Sequence, residues 1–185
     1  MLIVAKFGGT SVSDARRIEE CARKLVEEAR KGNQVVCVVS AQGDLTDRLL
    51  EKIQAITPNP DGRESDACVS AGEQISAALM AMAVQRLGQA AISLASWQMG
   101  LRTDGIHGNA AILGMDSDRI TRELKRGRIV VAAGFQGVDE ENDITTLGRG
   151  GSDTTAVMLA AMLGADVCRI PLVWDITKDS GEVVG

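Results

Sequence analysis

The chain has 185 residues, enough for one domain with a sizeable core, and 45% of them are apolar, which excludes a disordered chain. Only 2% are aromatic and tyrosine is absent, so the core must be built from Val, Ile, Leu, Ala and Met. A net charge of -5 argues against nucleic-acid or anionic-membrane partners, no apolar run approaches a membrane span, and the opening MLIVAKFGG lacks the charged region and cleavage pattern of a signal peptide.

In chain order, residues 2–7 read as a short strand followed by Gly-Gly-Thr-Ser. Ser13 is placed to cap a helix running to about Lys31, whose apolar face is Ile18, Ala22, Leu25, Val26 and Ala29. Glu19/Arg23, Glu20/Lys24 and Glu27/Lys31 are favourable pairs on its wet side, and Gly32 ends it. Residues 34–39 form a second strand, apolar on both faces as buried parallel strands are. A helix is expected over 45–56, a loop at 57–62, and one long helix over 63–87. A third strand covers 90–94, and the segment 96–115 is irregular or β-rich. Ser117 is placed to cap a helix ending at Gly127, a strand follows at 129–133, and Gly134-Phe-Gln-Gly137 turns. Residues 139–142 turn between short strands, a helix follows the glycine-rich run at 148–152, and a last strand spans 166–170.

Strands separated by helices imply right-handed crossovers and a mainly parallel sheet. The expected fold is therefore α/β, a three-layer αβα sandwich. In such sheets ligands sit beyond the carboxyl ends of the strands, where the loops 8–11, 40–43, 134–137 and 148–152 should gather. Cys21, Cys37, Cys68 and Cys168 form no CxxC pair and are read as small core residues in a reducing cytoplasm. With a single histidine, His107, they lack the spacing of a zinc site, and no metal ligands are assigned.

Two stretches carry possible chemistry. Lys6 lies inside an apolar strand just before Gly8-Gly9, where a lysine is costly unless an anion partners it. The glycines let backbone N–H groups approach such an anion, Thr10 and Ser11 add hydroxyls, and the following helix points its positive end there. The plain alternative is a snorkelling lysine before a flexible turn. Gly148-Arg149-Gly150-Gly151-Ser152-Asp153 offers a second nest at a helix start, with Arg149 suited to gripping a carboxylate; the alternative is a helix cap. Glu73, Thr46, Asp47 and Arg102 are ambiguous taken singly. No nucleophile, histidine and acid stand in triad order, so nucleophilic hydrolysis fits poorly. A lysine, two nests, an arginine and an aspartate suit phosphoryl transfer, which needs positioning and charge neutralisation above all.

The segments KFGGTS (6–11), VSAQGDLTD (39–47), TPNP (57–60), GEQ (72–74), RTD (102–104), HGNA (107–110), AGFQG (133–137) and TTLGRGGSDTTA (145–156) occur in the order found in aspartokinases. The chain resembles the N-terminal part of that group within the amino acid kinase family, over residues 1–168. The resemblance implies ATP-dependent phosphorylation of the side-chain carboxylate of L-aspartate to 4-phospho-L-aspartate, the first step toward lysine, threonine and methionine. It implies that Lys6 stabilises the transferring phosphoryl group and Asp153 orients it, while Gly8, Gly9 and Thr10 line the phosphate path. Ser40, Thr46 and Glu73 would face the amino acid, Glu73 taking its ammonium, and Arg149, Gly150, Gly151 and Ser152 would hold its carboxylate. Mg²⁺ would arrive with ATP.

After Cys168 the likeness ends. Residues 169–185 read RIPLVWDITKDSGEVVG, with Thr177-Lys178-Asp179 a faint echo of the family's Thr-Ala-Asp and no tyrosine to meet the nucleotide. The expectation is a partial kinase domain at 1–168 with a diverged tail, lacking the C-terminal half of the fold and any ACT domain. Such a half sheet exposes an edge and favours a homo-oligomer or association through that edge. Two further readings stand beside aspartate phosphorylation: a non-catalytic homologue that binds amino acid or pairs with a full-length kinase, and a kinase for another carboxylate or carbamate.

Overall fold

The computed structural model describes residues 1–170; the tail expectation, Thr177-Lys178-Asp179 included, lies outside the described residues. The main sheet contains β1 (Leu2–Phe7), β2 (Gln34–Val39), β3 (Ala91–Leu94), β6 (Ile129–Ala133) and β9 (Val167–Arg169) in the order β3-β6-β2-β1-β9, all parallel. A second, four-stranded sheet has the order β5-β4-β7-β8, from β4 (Leu101–Thr103), β5 (Ile112–Met115), β7 (Gln136–Val138) and β8 (Ile144–Thr146). It resolves the segment left open in the sequence: a 3-10 turn at Ser96–Met99, then an antiparallel β4-β5 pair whose register shifts after Arg102.

The period of two sorts the strand residues into two cores. Ala5 and Phe7, Val35, Cys37 and Val39, and Ile129, Val131 and Ala133 face α1 (Ala15–Arg30) and α4 (Ala71–Arg86). The intervening Val4, Val36, Val38, Val130 and Ala132 face α5 (Asp118–Lys125) and α6 (Gly151–Leu163). Helices thus cover both faces, as the three-layer reading requires. Lys6 has the parity of Val4, so it points toward α6.

Several local expectations change. The helix cap before α1 is Asp14, whose carboxylate accepts from Arg17 N at 2.9 Å, and Ser13 only donates to that carboxylate. A 3-10 turn over Gly9–Val12 separates the glycine pair from α1, so this helix does not open directly on Gly8-Gly9. On the wet face Arg16–Glu20 and Lys31–Glu28 form, and Arg23–Glu19 forms as expected. Ser117 stands at the start of α5, but Asp116 supplies the capping oxygen, to Asp118 N.

The long helix over 63–87 is two, α3 (Gly62–Val69) and α4, joined at Ser70. At this junction the Ser70 hydroxyl bonds back to Ala67 O and its carbonyl accepts from Gln136 Nε2 on β7. Together residues 62–86 have the length and hydropathy of a membrane span, which the sequence reading overlooked. They form a core element instead: α4 packs on α1, β3 and β6 and carries the buried Glu73. Cys21 and Cys37 are buried, and burial pushes their thiols up, that of Cys21 to about 11. Cys68 is half-buried and Cys168 exposed on β9, so the core assignment fails for Cys168.

Candidate active site

The carboxyl ends of β1, β2 and β6 and the turn before α6 enclose a cavity of about 330 Å³. It is lined by Lys6, Gly9, Ser40, Thr46, Glu73, Gly148, Gly150, Gly151, Ser152 and Asp153, with Ala41, Gly43 and Phe135. All four expected loops therefore reach one place.

Lys6 is nearly buried on β1, and its Nζ lies 2.7 Å from Asp153 Oδ1 in the first turn of α6. The contact is a close charge pair outside hydrogen-bond alignment, since that buried oxygen makes no directed hydrogen bond. The arrangement explains how an apolar strand tolerates lysine: the cation has an anionic partner on the helix that its parity faces. A Cβ on Gly8 would come within 3.5 Å of Lys6 Nζ, so backbone stands beside the amine.

The turn at 40–43 is the floor. Gly43 N donates to Gly9 O, Ser40 N donates to Phe7 O, and Gln42 Nε2 donates to Val12 O, tying the first two loops together. The packing is tight: a Cβ on Gly9 would meet Ala41 O at 2.6 Å, and one on Gly72 would meet Ala41 Cβ at 2.8 Å. The Gly72 approach brings α4 against the turn, so that Ala41 N donates to Glu73 Oε1 at 3.0 Å. Glu73 is 3% exposed, and its Oε2 is buried without a hydrogen-bond partner. Burial pushes its carboxyl up to about 7, against the opposing pull of the Ala41 N–H.

The other wall is the turn 147–152. Gly148 and Gly150 have φ of +77° and +71°, a region that side chains avoid, and Gly150 is the N-cap of α6. Two glycines are thus needed to bring backbone and helix N-terminus against the cavity. Phe135, at φ +71°, is a non-glycine residue in the same region. It is held by its N–H on Thr155 Oγ1 and its carbonyl on Leu147 N. Backbone strain of this kind clusters at functional sites. Phe135 was read from sequence as part of a turn only; its flanking glycines were the available signal.

Not every expected residue converges. Arg149 and Thr10 are exposed and do not line the cavity, and the Thr10 carbonyl accepts from Arg17. Arg102 donates to Asp139 O and Asn142 Oδ1 in the β7-β8 turn, a structural role. His107 meets Asp66, a buried carboxylate in α3 that sequence reasoning missed. Among the described residues no group of three or more His, Cys, Asp or Glu gathers to hold a metal.

A strand lysine paired to a helix-start aspartate stands beside a glycine turn at a helix N-terminus on an αβα sheet, chemistry suited to an anionic group. The sequence profile of the amino acid kinase family matches residues 1–170, and the chain belongs to that family. Its relatives include the aspartokinase of Geobacillus stearothermophilus, 53% identical over 169 residues, which cover 91% of this chain and 42% of the relative. An aspartokinase of Mycobacterium tuberculosis is 53% identical over 170 residues, covering 91% and 40%. The chain thus spans about two fifths of the length of these relatives. Among solved structures, aspartate kinase from Synechocystis superposes with a TM-score of 0.79 at 48% identity, covering 91% of this chain and 28% of that one. E. coli aspartokinase III in complex with aspartate and ADP gives 0.75 at 26%, covering 90% and 48%. The fold alone reaches further, to an isopentenyl phosphate kinase at 16% identity and TM-score 0.59, covering 90% and 70%.

Proposed function

We propose that the cavity is the amino acid side of an aspartate kinase site, serving ATP-dependent phosphorylation of the side-chain carboxylate of L-aspartate. The observation that carries this reading is Glu73, a buried carboxylate with one oxygen unpartnered in a cavity whose opposite wall is a nest at a helix N-terminus. An acidic group facing an anion nest suits a ligand with an ammonium at one end and a carboxylate at the other. Glu73 takes the ammonium; Gly150, Gly151 and Ser152 hold the α-carboxylate, with Arg149 closing over it from the rim. Ser40 and Thr46 contact the ligand from the floor.

The side-chain carboxylate then lies toward Lys6. In the reaction a carboxylate oxygen attacks the γ-phosphorus of ATP, a new O–P bond forms, the bond to the β-phosphate oxygen breaks, and ADP leaves with the electron pair. Lys6, held by Asp153, neutralises charge on the phosphoryl oxygens, and the Gly8–Thr10 backbone lines their path. Mg²⁺ belongs to the nucleotide, held by phosphates and water, and supplies further charge neutralisation when bound. A cytoplasmic location is part of this reading.

Titration calorimetry with L-aspartate and with ATP, each alone and then together, tests it. Binding of both, with aspartate-dependent ADP release in a coupled assay, supports the kinase. Aspartate binding without ATP binding supports the alternative, a module that binds amino acid without turnover. Binding of neither contradicts both, and a carbamate or different carboxylate bound in preference to aspartate assigns the site to another acceptor.

A further inference from the structure

We infer that Asp66 is a positioning residue for the nest wall of this site: it locks the 107–110 loop and β8 to α3, and so sets the 148–152 turn against Glu73. The inference rests on the proposed amino acid site. Asp66 is 3% exposed and does not line the cavity. Its Oδ2 accepts from Gly108 N at 3.0 Å and Thr146 N at 3.0 Å and meets His107 Nδ1 at 2.9 Å, while Oδ1 accepts from Thr146 Oγ1 at 2.7 Å. Both oxygens are partnered by groups from two segments far away in sequence, Oδ2 by three and Oδ1 by one. A buried carboxylate is kept at such a place when its partners need holding.

The held groups lead straight into the site. Ala110 N donates to Thr146 O at 2.9 Å, so the loop and β8 are stitched on both sides of Asp66. Two residues after Thr146 comes Gly148, packed so close to this loop that a Cβ there would stand 2.8 Å from Asn109 Oδ1. The loop therefore backs the turn that presents Gly150, Gly151 and Ser152. On the other side α3 continues through Ser70, fixed by Gln136, into α4 and Glu73. One helical segment thus carries the binder for one end of the ligand and, seven residues earlier in sequence, the anchor for the binder of the other end. The same contact gives the single histidine its role, as a clamp on Asp66.

Asp66→Asn and Asp66→Ala separate positioning from bulk stability. Asn keeps an oxygen for the Gly108 and Thr146 N–H groups, and its amide can donate to a rotated Thr146 hydroxyl; Ala leaves the donors unpaired. In hydrogen exchange of the full chain, Asp66→Ala should speed exchange across residues 106–110 and 145–152 by about 10-fold or more while β1 and β2 stay at wild-type rates. Aspartate affinity should fall by about 10-fold or more, and Asp66→Asn should restore both to within about 3-fold. If Asp66→Ala does not fold, Thr146→Val, which removes one of the held donors, should speed exchange over 145–152 by about 3-fold with β2 unchanged.

Wild-type exchange over 145–152 in Asp66→Ala, or in Thr146→Val where that variant decides, overturns the inference, as does an equal rise in all elements. Unchanged aspartate affinity in a folded Asp66→Ala overturns it too. Failure of the wild-type chain to bind aspartate sinks the proposed function instead, and the exchange measurement still decides whether Asp66 holds the turn.

Discussion

Glu73, which lines the cavity, keeps one oxygen on the Ala41 N–H and the other buried without a hydrogen-bond partner, at a cost to the fold. Its carboxyl is raised from 4.5 to about 7, so the folded chain holds a proton there that the unfolded chain releases. Stability from this group is fully present below about pH 4.5 and is lost as pH rises through about 7. Glu73→Gln should therefore raise the melting temperature at about pH 8 by several degrees and do little at about pH 5. An equal effect at both pH values would deny the buried charge. The same titration governs binding, because the ammonium needs the ionised form: aspartate affinity should be about 10-fold weaker at about pH 6 than at about pH 8. Lys6 belongs to the other half of the site. Lys6→Ala should weaken ATP binding by about 10-fold or more and aspartate binding, whose side-chain carboxylate lies toward it, by a smaller factor, by calorimetry.

At the level of elements, close packing limits what the first turn of α4 accepts. Gly72→Ala puts a methyl 2.8 Å from Ala41 Cβ and should push α4 and Glu73 off the 40–43 turn. The expected result is a loss of about 1–3 kcal/mol in denaturant unfolding, together with weakened aspartate binding. Elements of this kind were legible in part. Helices α1, α2 (Leu45–Ile56) and α6 and strands β1, β2 and β6 follow from apolar period and glycine punctuation. The junction at Ser70 was not legible, because the contact that marks it comes from Gln136, 66 residues away. The cap at Asp14 was missed because Ser13 and Asp14 both fit the local rule, and only the chain's path selects one.

At the scale of the molecule, the parallel sheet brings loops far apart in sequence to one end. Glycines and charges marked Lys6, Gly9 and the run 148–153 beforehand, whereas Ser40, Thr46 and Glu73 were placed only by the family resemblance. What could not be read were residues whose chemistry lies in tertiary contact. Asp66 looks like any helix aspartate until its four contacts are seen, and Phe135 like any turn residue until its φ is known. Arg149 shows the reverse: the motif marks it, but its side chain lies on the exposed rim. A two-ended cavity must tell an amino acid from a plain dicarboxylate. Calorimetric titration of wild type and Glu73→Gln with L-aspartate and with succinate, which lacks the ammonium, tests it most directly. Wild type should prefer aspartate by about 10-fold or more, and Glu73→Gln should erase the preference while keeping the fold. Succinate bound as tightly as aspartate by wild type, or a preference that survives Glu73→Gln, would contradict it.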